Sequence, residues 1–328
     1  MGFFRKKRNL DSRVATSKKG SSAVTSRKGP DKTSTVPKVV AFHHAGYPAT
    51  FANTVILRLM GSSSHEGGVY ANTAMTALDI IAGNTFRLDT YLTLERDGEI
   101  VHLAPDDILQ QPNYWFHVPN PDNPDDKYYE FPVTPSFTMW TMPERELPYN
   151  WAYDEDKNLS LTTILEEPVA LKRSILRSKN LGKKPRTYDG GCVVSGEHED
   201  QCNQAFIVPA EHKLWFNQER MMSYTAYGGR YEDKIGVDTA VNRITLRPDL
   251  HVSFFCGDFA IVPQGDDWVA HFFDSTSPLG RMFDNKKVDL GPEVPREFLL
   301  ARFAFALFPL VRNFVKQGYS RVDRRNPF

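Results

Sequence analysis

Two neighbouring stretches decide the fold of this chain: CVVSGEHEDQCNQAFIVP (192–209) and VNRITLRPDLHVSFFCGDFAIVP (241–263). Each contains a short apolar run, at 205–208 and at 244–246, of the length and composition typical of a β-strand. A helix-compatible segment follows the second run. The order strand, long loop, strand and helix therefore predicts a compact α+β unit.

The same stretches place two polar side chains where such a unit offers a site. Asn242 opens the second predicted strand, and His251 lies in the predicted helix that follows. We expect the amide and the imidazole to face a common hollow at the end of the two strands.

Four blocks of this region resemble the fungal HNH nuclease-like family. They are C-V-V-S-G (192–196), A-F-I-V-P (205–209), N-R-I-T-L-R with D-L-H (242–251), and F-A-I-V-P (259–263). Three blocks nearer the N-terminus resemble the segment that precedes the nuclease domain in that family: H-A-G-Y-P (44–48), G-G-V-Y-A-N-T-A (67–74) and I-I-A-G-N (80–84). The resemblance implies a small N-terminal α+β module followed by an HNH domain of the ββα-metal type, with a C-terminal packing helix.

The resemblance also implies roles for individual residues. Asn242 takes the position that fixes backbone or base geometry, and His251 takes the position of the metal-holding histidine. A divalent metal, Mg²⁺ or Zn²⁺, is the implied cofactor, and nucleic acid is the implied partner. Such a metal offsets the charge that develops during phosphodiester hydrolysis.

The sequence departs from the family pattern at two positions. Phe206 stands where the family has the general-base histidine, and Phe255 stands where it has aspartate. A general base contributes roughly 10²–10⁴-fold to a rate, and the aspartate supports the metal or its histidine. His212, six residues beyond Phe206, is a candidate surrogate base, with helix capping as its alternative role. A metal held by His251 alone would bind weakly.

Two functional interpretations stay open. The first is an HNH-endonuclease-like protein with reduced phosphodiester hydrolysis. The second is a catalytically inactive HNH-fold protein that binds nucleic acid or a protein partner of unknown identity. A weaker third is a structural domain with a DNA-targeting tail.

Composition divides the chain further. Residues 1–38 hold eleven Lys and Arg against two Asp, a charge of +9, which leaves −9 on the remainder. We expect a disordered basic tail at 1–38, the N-terminal module at 39–105, a connection rich in Pro, Asp and aromatic residues at 106–160, and the HNH-like domain with flanking helices at 161–320. Apolar patterning predicts strands at 39–42 and 54–60, helices at 69–82, 213–224 and 295–317, and a hairpin around Arg96-Asp97-Gly98. A helix is also predicted at 161–180. Basic residues in and after it are candidates for contacts to a nucleic-acid backbone: Lys172, Arg173, Arg177, Lys183, Lys184 and Arg186.

Several signals predict an intracellular protein, cytoplasmic or nuclear, without a membrane-spanning segment. The basic N-terminus lacks the apolar region of a secretory signal, and no run of 18 apolar residues occurs. The most apolar segment, 298–311, contains Arg302 and Pro309. Cys192, Cys202 and Cys256 give no even disulfide framework. Buried free thiols are the interpretation favoured for them over an irregular zinc site.

Overall fold

The computed structural model describes residues 36–48, 54–104, 106–143, 147–152, 190–225, 236–291 and 294–325. Residues 1–35 of the predicted tail lie outside these ranges. So do the predicted helix at 161–180 and the basic residues between Lys172 and Arg186. The described residues all belong to one compact unit.

Eleven strands and five α-helices form this described part. The strands are β1 (Val39–His44), β2 (Val55–Met60), β3 (Val69–Tyr70), β4 (Tyr91–Thr93), β5 (Ile108–Leu109), β6 (Asn113–His117), β7 (Asn203–Phe206), β8 (Arg243–Leu246), β9 (Phe259–Gln264), β10 (Asp267–Phe272) and β11 (Lys286–Lys287). The helices are α1 (Ala71–Ile81), α2 (Lys213–Gln218), α3 (Pro248–Cys256), α4 (Pro278–Phe283) and α5 (Arg296–Arg325). The mixture of helices and strands agrees with the α+β prediction.

Residues between Val39 and His117 form a four-stranded sheet with the strand order β2-β1-β6-β4. β1 runs antiparallel to β2 and parallel to β6, and the edge strand β4 runs antiparallel to β6. β6 comes from residues 113–117, so the sheet takes strands from both the predicted module and the predicted connection. Its inner face is apolar because alternate side chains point to one side of a strand, as Phe42, Leu57 and Phe116 do.

Helix α1 arises from small and aliphatic residues at helical spacing. Ala74, Ala77, Leu78 and Ile81 are fully buried, as predicted from their recurrence every three or four positions. The helix ends before Gly83, whose φ of +86° is a left-handed conformation that glycine adopts without strain.

Helix α5 packs against α1, β2 and β9 and forms the centre of the core. By length and composition alone, its stretch Arg296–Gln317 is apolar enough to cross a membrane, but 67% of that stretch is buried inside the protein. A core helix has the same composition, and here the apolar side chains Phe298, Phe303 and Leu307 are fully buried.

Two local predictions need correction. The hairpin predicted around Arg96-Asp97-Gly98 has only β4 as a strand, and its second half pairs through the single bridge Thr93↔Ile100. The helix predicted at 213–224 breaks into α2 and a 3₁₀ turn, Met221–Tyr224, because Arg220 takes a left-handed φ of +49°. An α-helix cannot continue through such a residue.

Candidate functional site

Strands β7 and β8 form a two-stranded antiparallel sheet, and α3 follows directly. The register pairs Asn203 with Leu246 and Phe206 with Arg243. Helix α3 begins at Pro248, one residue after Arg247, and packs against β7. The predicted first strand, at 205–208, is displaced by two residues toward the N-terminus, while the second strand is found where it was predicted.

Asn242 is a buried clamp between three backbone segments. Its Oδ1 accepts a hydrogen bond from the Val208 N–H (2.8 Å), and its Nδ2 donates to the Val208 carbonyl and the Val237 carbonyl (2.9 Å each). The Asn242 carbonyl also accepts from the Ile207 N–H (2.9 Å). Because the residue is 0% exposed, its amide fastens the chain after β7 and does not line the hollow expected between it and His251.

Arg247 and Asp249 fix the start of α3. Arg247 donates twice to the Asp249 carboxylate, from Nε (2.7 Å) and from Nη2 (2.8 Å). Asp249 also accepts from the Leu250 N–H (2.8 Å), one of the free amides of the first helical turn. The pKa of Asp249 is lowered, chiefly by the hydrogen bonds from Arg247. The pair gives a structural reason for the sequence L-R-P-D-L-H.

His251 lies in the first half of α3, half-buried. Its backbone N–H bonds to the Arg247 carbonyl (2.8 Å). The described residues provide no hydrogen-bond partner for its imidazole, and burial alone lowers the pKa of the ring. A histidine oriented to hold a metal normally donates its second N–H to a carboxylate or carbonyl.

Two aromatic side chains occupy the positions that differ from the family pattern. Phe206 ends β7, and its ring lies under the Arg243 guanidinium, with 4.5 Å from Cζ to the ring centroid. Phe255 is one turn beyond His251 on α3 and is 57% exposed. Neither side chain can accept a proton or bind a cation through a lone pair.

His212 lies at the end of a 3₁₀ turn that leads into α2. Its ring packs edge-on against Phe137 and Phe305, with centroids 4.9 and 5.4 Å away. Burial lowers the pKa of His212, and the nearby Arg302 lowers it further, while Glu211 raises it. The described contacts of this imidazole are with the core and with Glu211, and none connects it to His251.

The donors around His251 do not fit a divalent cation. In the described ranges, no group of three or more His, Cys, Asp or Glu side chains is arranged to hold a metal ion. The Asn242 amide is already engaged with backbone groups, and Phe206 and Phe255 offer no ligand atom. Hard cations need several oxygen ligands, and His251 alone does not supply them.

The sequence analysis assigned no role to Arg302, which is the most buried charged residue in the part of the chain that the structure describes. It is 1% exposed, and its Nε and Nη2 have no hydrogen-bond partner among those residues. The guanidinium instead lies over two aromatic rings, with 3.9 Å from its Cζ to the ring centroid of Phe254 and 4.8 Å to that of Phe305. Burial lowers its pKa to about 9, so it remains charged at neutral pH. The signal was visible in the sequence as one arginine inside the apolar run of α5.

The comparisons with known proteins give a match for one region of the chain and none for its whole length. Neither the curated proteins nor the solved structures contain a match to this chain. The family described as HNH endonuclease matches residues 192–262, from the cysteine turn before β7 to the middle of β9. Residues 192–262 are therefore an HNH-type domain.

Proposed function

We propose that this chain is an HNH-endonuclease-like protein in which hydrolysis of phosphodiester bonds in nucleic acid is strongly reduced. The family match to residues 192–262 and the order β7, β8, α3 support the nuclease relationship. The observation that carries the reduction is Phe206 at the end of β7, where the resemblance places a general-base histidine.

A water molecule that attacks phosphorus must lose a proton, and Phe206 cannot take it. The absence of a general base lowers a rate by roughly 10²–10⁴-fold. The Arg243 guanidinium over the same position would favour the neutral form of an imidazole placed there. The position therefore suits a base, although the residue now in it is not one.

The test is plasmid nicking by the full chain with Mg²⁺, Mn²⁺ or Zn²⁺. We expect Phe206→His to raise the nicking rate about 10²-fold, and Phe206→His with Phe255→Asp to raise it further by restoring a carboxylate. Val252→His is the matched control, because it adds an imidazole next to His251 in the sequence at a position that is 62% exposed. Equal rates for Phe206→His and Val252→His would contradict the proposal.

The second candidate is a catalytically inactive HNH-fold protein that binds nucleic acid or a protein partner. The exposed part of α3 favours its protein-binding form, because Val252 and Phe255 present an apolar surface, whereas contacts to nucleic-acid phosphates use cationic and hydrogen-bonding groups. The two candidates differ in one measurement. Weak nicking by the wild-type chain that His251→Ala abolishes supports the first. A wild-type rate equal to that of His251→Ala supports the second.

A further inference from the structure

Cys192 and Cys202 lie at the two ends of one tight turn before β7. Gly191 pairs with His198 in an isolated antiparallel bridge, and the Cys192 N–H bonds to the Glu197 carbonyl at 2.7 Å. The approach is close, since a Cβ on Gly191 would lie 2.3 Å from that carbonyl oxygen. The turn therefore brings the chain back on itself within the nine residues between the cysteines.

The Cys202 sulfur and the Cys192 backbone both contact one carbonyl group. Its thiol donates to the carbonyls of His198 (3.3 Å) and Glu197 (3.6 Å), and the second of these also accepts from the Cys192 N–H. One carbonyl, that of Glu197, therefore contacts both the Cys192 backbone and the Cys202 sulfur. A disulfide requires two cysteines whose backbones lie near each other in this way.

The two thiols differ in access. Cys192 is buried, and its sulfur accepts from the Ser195 N–H at 3.3 Å. Cys202 is half-exposed, so an oxidant reaches Cys202 first. The third cysteine, Cys256, is exposed on α3, outside the turn.

We propose that Cys192 and Cys202 are a dithiol that hydrogen peroxide oxidises to an intramolecular disulfide. The Cys202 thiolate attacks one peroxide oxygen, the O–O bond breaks, and a sulfenic acid forms while the other oxygen leaves as water. The Cys192 thiolate then displaces the sulfenic hydroxyl, which leaves as a second water, and the S–S bond forms. The two thiols together lose two electrons and two protons. Hydrogen peroxide takes up these two electrons and two protons and becomes two water molecules.

The surroundings of Cys202 make the first step slow at neutral pH. Burial, the Cys192 thiol and Glu197 raise the pKa of Cys202, while the Cys192 N–H and Arg247 lower it, and the raising effects prevail. Only the thiolate attacks peroxide. We therefore expect the oxidation rate to increase about tenfold per pH unit below the pKa of the thiol.

The disulfide would fasten the turn that enters β7. A crosslink stabilises mainly by restricting the unfolded chain, and a short loop still gives a measurable effect. For a chain of this size we expect the unfolding midpoint to rise by about 4–8 °C.

The experiment is peroxide oxidation of the folded full chain, thiol trapping at low pH, proteolysis and mass spectrometry. We expect the peptides that contain Cys192 and Cys202 to be linked, with the loss of two hydrogens, and dithiothreitol to separate them. Cys256→Ser is the matched control and should give the same link. In Cys202→Ser, which keeps a hydroxyl donor near the His198 carbonyl, the buried Cys192 should remain a free thiol.

Two outcomes would overturn the proposal in the wild-type chain, without reliance on any variant. One is Cys202 recovered as a sulfinic acid while Cys192 remains a free thiol. The other is disulfides that all include Cys256.

Discussion

Asn242 and His251 are nine residues apart and belong to the same motif, yet their surroundings differ. The Asn242 side chain is fully buried, and its oxygen and both of its N–H groups bond to the backbone of residues 208 and 237. The His251 imidazole is half-buried and has no hydrogen-bond partner in the ranges the structure describes. One motif residue is part of the fold, and the other lies at its surface.

The difference shows that two residues of one motif can serve separate purposes. An asparagine that satisfies three buried backbone groups contributes to the stability of the fold, whether or not the domain hydrolyses anything. A histidine whose imidazole makes no hydrogen bond is needed only if chemistry or binding uses it. The first kind of residue carries information about fold and the second about function, and substitutions can separate them.

The largest effect is expected for Asn242→Ala. The change leaves the N–H and carbonyl of Val208 and the carbonyl of Val237 buried without partners. Each unsatisfied buried group costs about 1–3 kcal/mol, so we expect a loss of about 4 kcal/mol in the free energy of unfolding. Urea denaturation followed by far-UV circular dichroism measures it.

Asn242→Asp is the control for this prediction. Aspartate keeps the oxygen that accepts from Val208 but, when ionised, cannot donate to the carbonyls of Val208 and Val237. It should also destabilise. A loss below about 1 kcal/mol for Asn242→Ala would mean that the clamp contributes no more than an ordinary hydrogen bond.

Asp79 is a second buried polar side chain that should act through the stability of the fold, and it titrates. It lies in the last turn of α1 and accepts hydrogen bonds from the hydroxyls of Thr85 (2.7 Å) and Thr90 (3.1 Å). Burial raises its pKa from 3.8 to about 6, although both threonines lower it. The folded protein therefore binds this proton more tightly than the unfolded chain, and its stability falls as the pH rises from about 4 to about 6.

We expect Asp79→Asn to remove that fall and to stabilise the protein by about 2–3 kcal/mol at pH 7. The asparagine oxygen still accepts from Thr85, so the loop after α1 keeps its anchor. Thermal unfolding of the two proteins between pH 4 and 8 measures the difference, which should close at the acidic end. A constant difference across this range would assign the effect to packing.

A smaller effect is expected at Arg302, a buried group whose polar atoms are only partly used. Replacing buried charges by apolar residues of similar volume is often neutral or stabilising. We expect Arg302→Met to raise the free energy of unfolding by about 1 kcal/mol. Arg302→Lys is the control and should destabilise, because an ammonium does not reproduce the stacking on Phe254 and Phe305. A loss of stability in Arg302→Met would show that the guanidinium has a partner worth more than its desolvation.

The sequence predicted the fold best where periodicity was strong. Strands β1, β2 and β8 and helices α1, α3 and α5 all follow from apolar spacing or from the matched blocks. The predicted end of a helix was wrong where the backbone conformation of a single residue ended it, as at Arg220 between α2 and the following turn. The parallel pairing of β1 with β6 was not predictable, because residues distant in sequence make that contact.

The site was less predictable than the fold. The resemblance located Asn242, His251, Phe206 and Phe255, but it assigned the Asn242 amide to a hollow that only coordinates could test. Whether His212 approaches His251 depends on how the core packs around Phe137 and Phe305. Arg302 was visible as a charge in an apolar run, but its missing partners were not.

The smallest effect on stability is expected for His251→Ala. The imidazole has no hydrogen bond to lose among the described residues and is only half-buried, so the free energy of unfolding at pH 7 should change by no more than about 0.5 kcal/mol. Burial lowers the pKa of His251, so its protonation disfavours the fold, and the wild-type chain should lose slightly more stability than the variant as the pH falls below about 6.5. Denaturant unfolding of both proteins at neutral and acidic pH measures this. A loss as large as that of Asn242→Ala would place His251 with the folding residues, and nicking or binding assays of His251→Ala could then no longer separate function from stability.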